Sequence, residues 1–137
     1  MQLLHSHLFL IPFIVLFLSE SVKLFFEGIK TGQWHQNVFQ AGGMPSSHSA
    51  FVTSLAIIVW KKTGIESVEF AIAICFAGIV WYDAVVTRKV LGEQGKLLNR
   101  LQHWQHFAER LGHSLKEVLA GIAFGAAVTA VGIFLAS

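Results

Sequence analysis

The sequence holds one cysteine, Cys75, set within an apolar run. A lone thiol excludes an internal disulfide and a cysteine-based metal centre, and in such a run it is expected to serve packing. Charge is scarce too. Only 13% of the 137 residues are Asp, Glu, Lys or Arg, against roughly a quarter in soluble domains. The formal net charge of +2 is small, and no nucleic-acid partner is expected from it. No internal repeat or low-complexity tract breaks the chain. The first seven residues lack a basic n-region and no small-residue cleavage site follows Leu18. The first apolar run is therefore expected to belong to the mature fold.

Apolar residues make up 54% of the chain, and its mean hydropathy is +0.61. They gather in four segments, at 8–26, 49–60 (with a start as early as 47), 67–86 and 118–136. A transmembrane helix takes about 20 residues, so the third and fourth segments qualify directly. The first qualifies if its polar end, Ser19 to Lys23, faces protein, and the short second if it is partly buried among its neighbours. The expected fold is all-α: a single domain over 1–137, an integral membrane helical bundle with about four transmembrane helices. A loop at 27–46, a tight turn at 61–66 and a polar segment at 87–117 connect them. In the last of these, Leu97, Leu98, Leu101, Trp104, Phe107, Ala108 and Leu111 recur at three- and four-residue steps. That pattern predicts an amphipathic interfacial helix over 89–112, lying at the membrane surface or covering a site.

Following the chain through four spans brings the end of the first, the start of the second, the end of the third and the start of the fourth to one membrane face. Lys23 and Lys30, Ser46, Ser47 and His48, Arg88, and His113 with Glu117 all fall there. The stretch GGMPSSHSAF at 42–51 carries more hydroxyls than a helix cap needs. Cations, imidazoles and a hydroxyl-rich helix start suit a phosphate, because helix N-termini present N–H groups to anions and arginine matches phosphate oxygens in a fork. Two histidines can divide the work of nucleophile and general acid. His113 and Glu117, four apart, are expected to share a helix face, so that Glu117 accepts a hydrogen bond from one ring nitrogen and leaves the other free.

These residues resemble the type 2 phosphatidic acid phosphatase superfamily, which includes vanadium-dependent haloperoxidases. Its motifs are Lys-x6-Arg-Pro, Pro-Ser-Gly-His and Ser-Arg-x5-His-x3-Asp. The corresponding stretches here are Lys23-LFFEGI-Lys30-Thr31, Pro45-Ser46-Ser47-His48, Thr87-Arg88 and His113-SLK-Glu117. From Lys23 onward the chain more closely resembles the small divergent branch of that superfamily, through GGMPSSHSA, YDAVVTRK, LLNRL and LGHSLKEVLAG. It departs from the superfamily pattern at Lys30-Thr31, Ser47 and Glu117, and 24 residues separate Arg88 from His113 in place of five. The resemblance implies hydrolysis of a lipid or isoprenoid phosphate or diphosphate through a phosphohistidine. His113 would be the nucleophile, Glu117 would hold its tautomer, and His48 would be the general acid and later the base. Lys23, Lys30, Ser46, Ser47 and Arg88 would hold the phosphate, with no metal and no cofactor required. The alternatives are a catalytically lapsed phospholipid-binding protein and a vanadate-dependent oxidant.

Asp83, five residues before Arg88, is read as a supporting residue that orients it. His5, His7, His35, His103 and His106 read as solvated or interfacial. Gly121, Gly125 and Thr129 form a small-residue stripe on which another helix can pack closely. Intramolecular packing is the expected use, and association into a homo-oligomer stays open. Eight of the ten Lys and Arg residues lie on the candidate active face. The positive-inside tendency places that face in the cytoplasm and both termini opposite.

Overall fold

The computed structural model describes residues 7–32 and 43–136. Four helices account for most of them: α1 (Ile11–Thr31), α2 (Ser47–Thr63), α3 (Val68–Leu101) and α4 (Leu115–Ala136). There is no strand among the described residues. A short 3₁₀ turn, Leu8–Leu10, leads into α1. Pro12 sits in the first turn of α1, where its missing N–H costs no helix bond. Gly32 ends the helix in the left-handed region at φ 68°, donating its N–H to Gly28 O at 2.9 Å. α1 thus runs to Thr31, beyond the expected end at Phe26, and takes in the start of the expected 27–46 loop. Residues 33–42 of that loop, His35 among them, and His5 lie outside the described residues.

The α1, α3 and α4 segments are long and apolar enough to cross a membrane, at Leu8–Lys30, Val68–Leu101 and Leu115–Ala136. α2, with 17 residues, is about 26 Å long at 1.5 Å per residue, short of a hydrocarbon core of about 30 Å. It is the enclosed helix, packed against the other three. Its inward positions are small or hydroxylated: Ser47, Ser49, Ala50, Thr53, Ser54 and Ala56 are buried. Small side chains let the neighbouring backbones approach closely. A Cβ at Gly121 would overlap the Ser46 carbonyl, and one at Gly125 would overlap the Ala50 backbone. One helical turn further along α4, Thr129 Oγ1 donates to Ser54 Oγ at 2.7 Å. The small-residue stripe therefore packs within the chain, against α2. Outward, Phe13, Phe17, Ile72 and Phe134 are exposed, the surface of a bundle solvated by lipid. Cys75 is exposed on this surface of α3 and does not take the packing role expected of it.

α3 departs from the expected third span. It continues without a break to Leu101, so the amphipathic helix is its outer half, Arg88–Leu101. Residues 102–114 are not helical, and the helix expected over 89–112 stops there. Local hydrogen bonds outcompete the helix. Gln102 turns to extended geometry, and its Oε1 accepts the N–H groups of Trp104 and Gln105, both at 3.0 Å. The chain then returns along the glycine face of α3. A Cβ at Gly92 would collide with the Glu109 carbonyl and one at Gly95 with the Ala108 carbonyl. The apolar periodicity runs on past 101, but the backbone does not follow it. Trp104 is left 88% exposed.

Candidate active site

This out-and-back path accounts for the long separation of Arg88 from His113. The outer half of α3 carries the chain away and the returning segment brings it back beside its starting point. There the His113 N–H donates to Ala84 O at 3.0 Å. That carbonyl is free to accept because Asp83–Thr87 is a π-helical turn. In an α-helix the Arg88 N–H would bond Ala84 O; here it goes to Asp83 O instead. The same turn aligns the two side chains, and Arg88 Nε donates to Asp83 Oδ2 at 2.7 Å. Both groups are about 40% exposed, and a pair so open to solvent contributes at most about 1 kcal/mol to stability. Its consequence is the direction in which the guanidinium points.

A cavity of about 230 Å³ opens beside this turn, lined by His48, Ile79, Val80, Asp83, Ala84, Arg88 and His113. One wall is apolar, made by Ile79, Val80 and Ala84 of α3. The rest of the lining is polar: the two imidazoles, Asp83 and the Arg88 guanidinium. His113 itself is buried. It precedes α4, so it does not share a helix face with Glu117, and its Nδ1 lies 3.4 Å from Glu117 Oε2, within ion-pair reach but without the expected hydrogen bond. The link is a capping box: Glu117 Oε2 accepts the Ser114 N–H at 2.7 Å, and Ser114 Oγ accepts the Glu117 N–H at 3.3 Å. The carboxylate that closes the helix start is thereby held against the ring. Burial lowers the His113 pKa from its ordinary 6.5; Glu117 opposes that, while Lys23 and Arg88 add to it.

The remaining predicted residues distribute as follows. Ser46 and Ser47 are buried at the start of α2. Ser46 Oγ pairs with Ser49 Oγ at 2.9 Å, and its N–H reaches Glu117 O at 3.2 Å, joining the starts of α2 and α4. Ser47 Oγ is buried with no hydrogen-bond partner. Lys23 is only 5% exposed, and the Gly43 backbone lies against its side chain and that of Glu27. Lys30 is exposed at the end of α1 and does not line the cavity. His7, His103 and His106 are exposed, and among the described residues no cluster of His, Cys, Asp and Glu gathers as metal ligands.

Several contributors went unread in the sequence. Ser114 had a signal, the Ser-x2-Glu spacing of a capping box. Gly92 and Gly95, three apart in a helix, had one also. The π turn and the carbonyl it frees had none.

Over 64 residues the chain is 45% identical to the uncharacterized membrane protein YuiD of Bacillus subtilis (strain 168), a stretch covering 47% of this chain and 40% of that one. The matched stretch thus spans well under half of the relative's length. No solved structure matches the chain. The family model described as the Divergent PAP2 family matches residues 4–128, and the chain, an integral membrane protein of helical build, belongs to that family.

Proposed function

We propose that the protein is a membrane phosphatase that hydrolyses a phosphate or diphosphate ester on a lipid or isoprenoid. The observation that carries this reading is the cavity itself, where His48, Arg88 and His113 meet against an apolar wall although the chain between Arg88 and His113 leaves and returns. With Nδ1 turned to Glu117, Nε2 of His113 attacks phosphorus. The bond from phosphorus to the leaving oxygen breaks, and His48 supplies the proton that oxygen needs. His48 then takes a proton from water, which attacks the phosphohistidine and releases phosphate and free His113. Arg88, aimed by Asp83, neutralises the oxygens of the transferring group together with Lys23 and the open start of α2 at Ser46–His48. The exposed Lys30 adds attraction at longer range. Positioning and charge carry most of the catalysis in phosphoryl transfer. The Ile79–Val80 wall suits the apolar part of an amphiphile.

Purified protein assayed on phosphatidic acid, phosphatidylglycerophosphate and prenyl diphosphates tests the activity. His113→Ala should be inactive on every substrate and trap no phosphoenzyme. His48→Ala should lose roughly 10²–10⁴-fold on a lipid phosphate but keep the first step on nitrophenyl phosphate, whose leaving group needs no proton. Trapped phosphate in the His113 variant and none in the His48 variant would reverse the two roles. Orthovanadate binding without turnover of any substrate would leave a phospholipid-binding protein. For sidedness, the concentration of Lys and Arg on the active face favours the cytoplasm. A cysteine placed at the exposed His106, in a Cys75→Ser background, should resist an impermeant thiol reagent in intact cells. Labelling there would turn the topology over.

A further inference from the structure

The returning segment that delivers His113 is held by one side chain more than by any other. Asn99, two residues before the end of α3, does not bond its own helix. Its Oδ1 accepts the Phe107 N–H at 2.8 Å, and its Nδ2 donates to the Phe107 carbonyl at 2.9 Å and to Glu109 Oε1 at 2.8 Å. Both polar groups of one residue on the returning segment are thus taken by a single amide. Below this clamp the segment lays its Ala108 and Glu109 carbonyls over Gly95 and Gly92 of α3. It then passes Gly112, where a Cβ would press on the Lys89 backbone. It ends at the His113 N–H on Ala84 O. From Phe107 to Gly112 the segment meets α3 mainly through its backbone, with Glu109 Oε1 on Asn99 a side-chain exception, and the two ends of the contact are Asn99 and Ala84.

We infer that Asn99 is a positioning residue for His113, fixing through the 107–113 segment where the imidazole lies over the cavity shared with Arg88. Asn99 touches neither the cavity nor any reacting group. A polar residue that merely solvated the helix would not engage the N–H and the carbonyl of the same residue. A helix terminator would bond its own carbonyls and not a segment eight to ten residues further on. The inference takes the importance of His113 from the proposed function, but the geometry can be read without turnover.

The test follows the imidazole of His113 by NMR in histidine-labelled protein reconstituted in nanodiscs, with hydrogen exchange of residues 107–113 alongside. The charged and titratable groups around that ring are Glu117, Lys23 and Arg88, with Asp83 and His48 on the same cavity. Asn99→Ala should loosen the segment and admit water to the ring. The His113 titration should then move up towards 6.5, and exchange at the His113 amide should quicken. On a phosphate substrate kcat should fall roughly 10- to 100-fold, as expected for a misplaced reacting group, with KM little changed. Gly95→Ala, which wedges the segment off by the Ala108 carbonyl, should reproduce the shift by a separate route. Asn99→Asp removes the donor to Phe107 and sets two carboxylates together; adding Glu109→Gln gives a donor back between the two positions and should recover part of the wild-type titration. Leu101→Ser, beyond the clamp, should change nothing. Unmoved titration and exchange at His113 in both Asn99→Ala and Gly95→Ala would overturn the inference. If the wild-type protein turns over no phosphate ester while those shifts appear, the proposed function fails and the positioning role stands.

Discussion

α2 and α4 begin side by side, each with a serine at its cap, and the two starts are built in opposite ways. At α4, Ser114 and Glu117 satisfy one another's N–H groups. At α2, the residue three positions after Ser46 is Ser49, too short to reach back, and the two hydroxyls pair with each other instead. No side-chain cap bond forms there, and Ser47 Oγ is buried without a partner. A cap contributes about 1 kcal/mol, and an unsatisfied buried polar group costs roughly 1–3 kcal/mol. One start is therefore closed by its own side chains. The other keeps N–H groups and a hydroxyl available next to a cavity with two imidazoles and a guanidinium, as an anion site requires.

The largest effect is expected where the closed start reaches the site, at Glu117. Glu117→Gln keeps the shape but no longer favours one tautomer of His113, and kcat should fall by roughly 10²–10⁴-fold, as with other carboxylate–histidine pairs. The pH profile sharpens the same point. The folded-state pKa of His113 lies below its unfolded value of 6.5, so above that pH the ring is neutral in both states. On acidification the unfolded chain takes up the proton first, so the stability contributed by this residue is lost as pH falls below 6.5. The acidic limb of kcat/KM should also lie below 6.5, and Glu117→Gln, which removes the main influence raising the pKa, should move it lower still. A wild-type limb above 6.5 would show that burial does not dominate at this ring, and a limb that rises in Glu117→Gln would show that the carboxylate does not raise its pKa.

Next come the glycines that let the two starts approach. Gly121→Ala and Gly125→Ala should each cost about 1–3 kcal/mol by overpacking, seen as lower melting temperatures in detergent. Only Gly121→Ala presses on the Ser46 carbonyl, so it alone should also weaken binding of orthovanadate, used as a phosphate mimic. Equal loss in both would mean that the site feels general stability and not the placement of α2.

The smallest effects separate the two serines. Ser47→Ala should leave the melting temperature level or raise it, while weakening orthovanadate binding about tenfold, as the loss of a hydrogen bond to a charged ligand does. Ser114→Ala should do the reverse, costing about 1 kcal/mol of stability with little change in anion affinity. Reversed results would mean that the α2 start is the structural one.

Much of this was legible in the sequence because the signals were local. Apolar run lengths gave four helical segments and the face on which their polar ends meet. The small-residue stripe at Gly121, Gly125 and Thr129 marked a close helix contact, and α2 supplied the other side. Asp83 was placed with Arg88 by proximity alone. The extent of the amphipathic helix was misread, because the periodicity of Trp104, Phe107 and Leu111 continues past the point where Gln102 and Asn99 redirect the backbone. The spacing of His113 to Glu117 fits a helix turn, but the same spacing also arises when the carboxylate turns back to cap Ser114, as it does here.

By itself the sequence determined an all-helical membrane bundle, with histidines, cations and hydroxyls gathered at one end, since hydrophobic run length and span order constrain those features without reference to packing. Only the tertiary structure decided that Arg88 and His113, with 24 residues between them, line one cavity. That depends on a carbonyl released by a π turn, on two glycines that admit a returning backbone, and on an asparagine that holds it. Each of these acts through a hydrogen bond or a close contact with a residue distant in sequence. Such pairings exist only once the chain has folded back on itself.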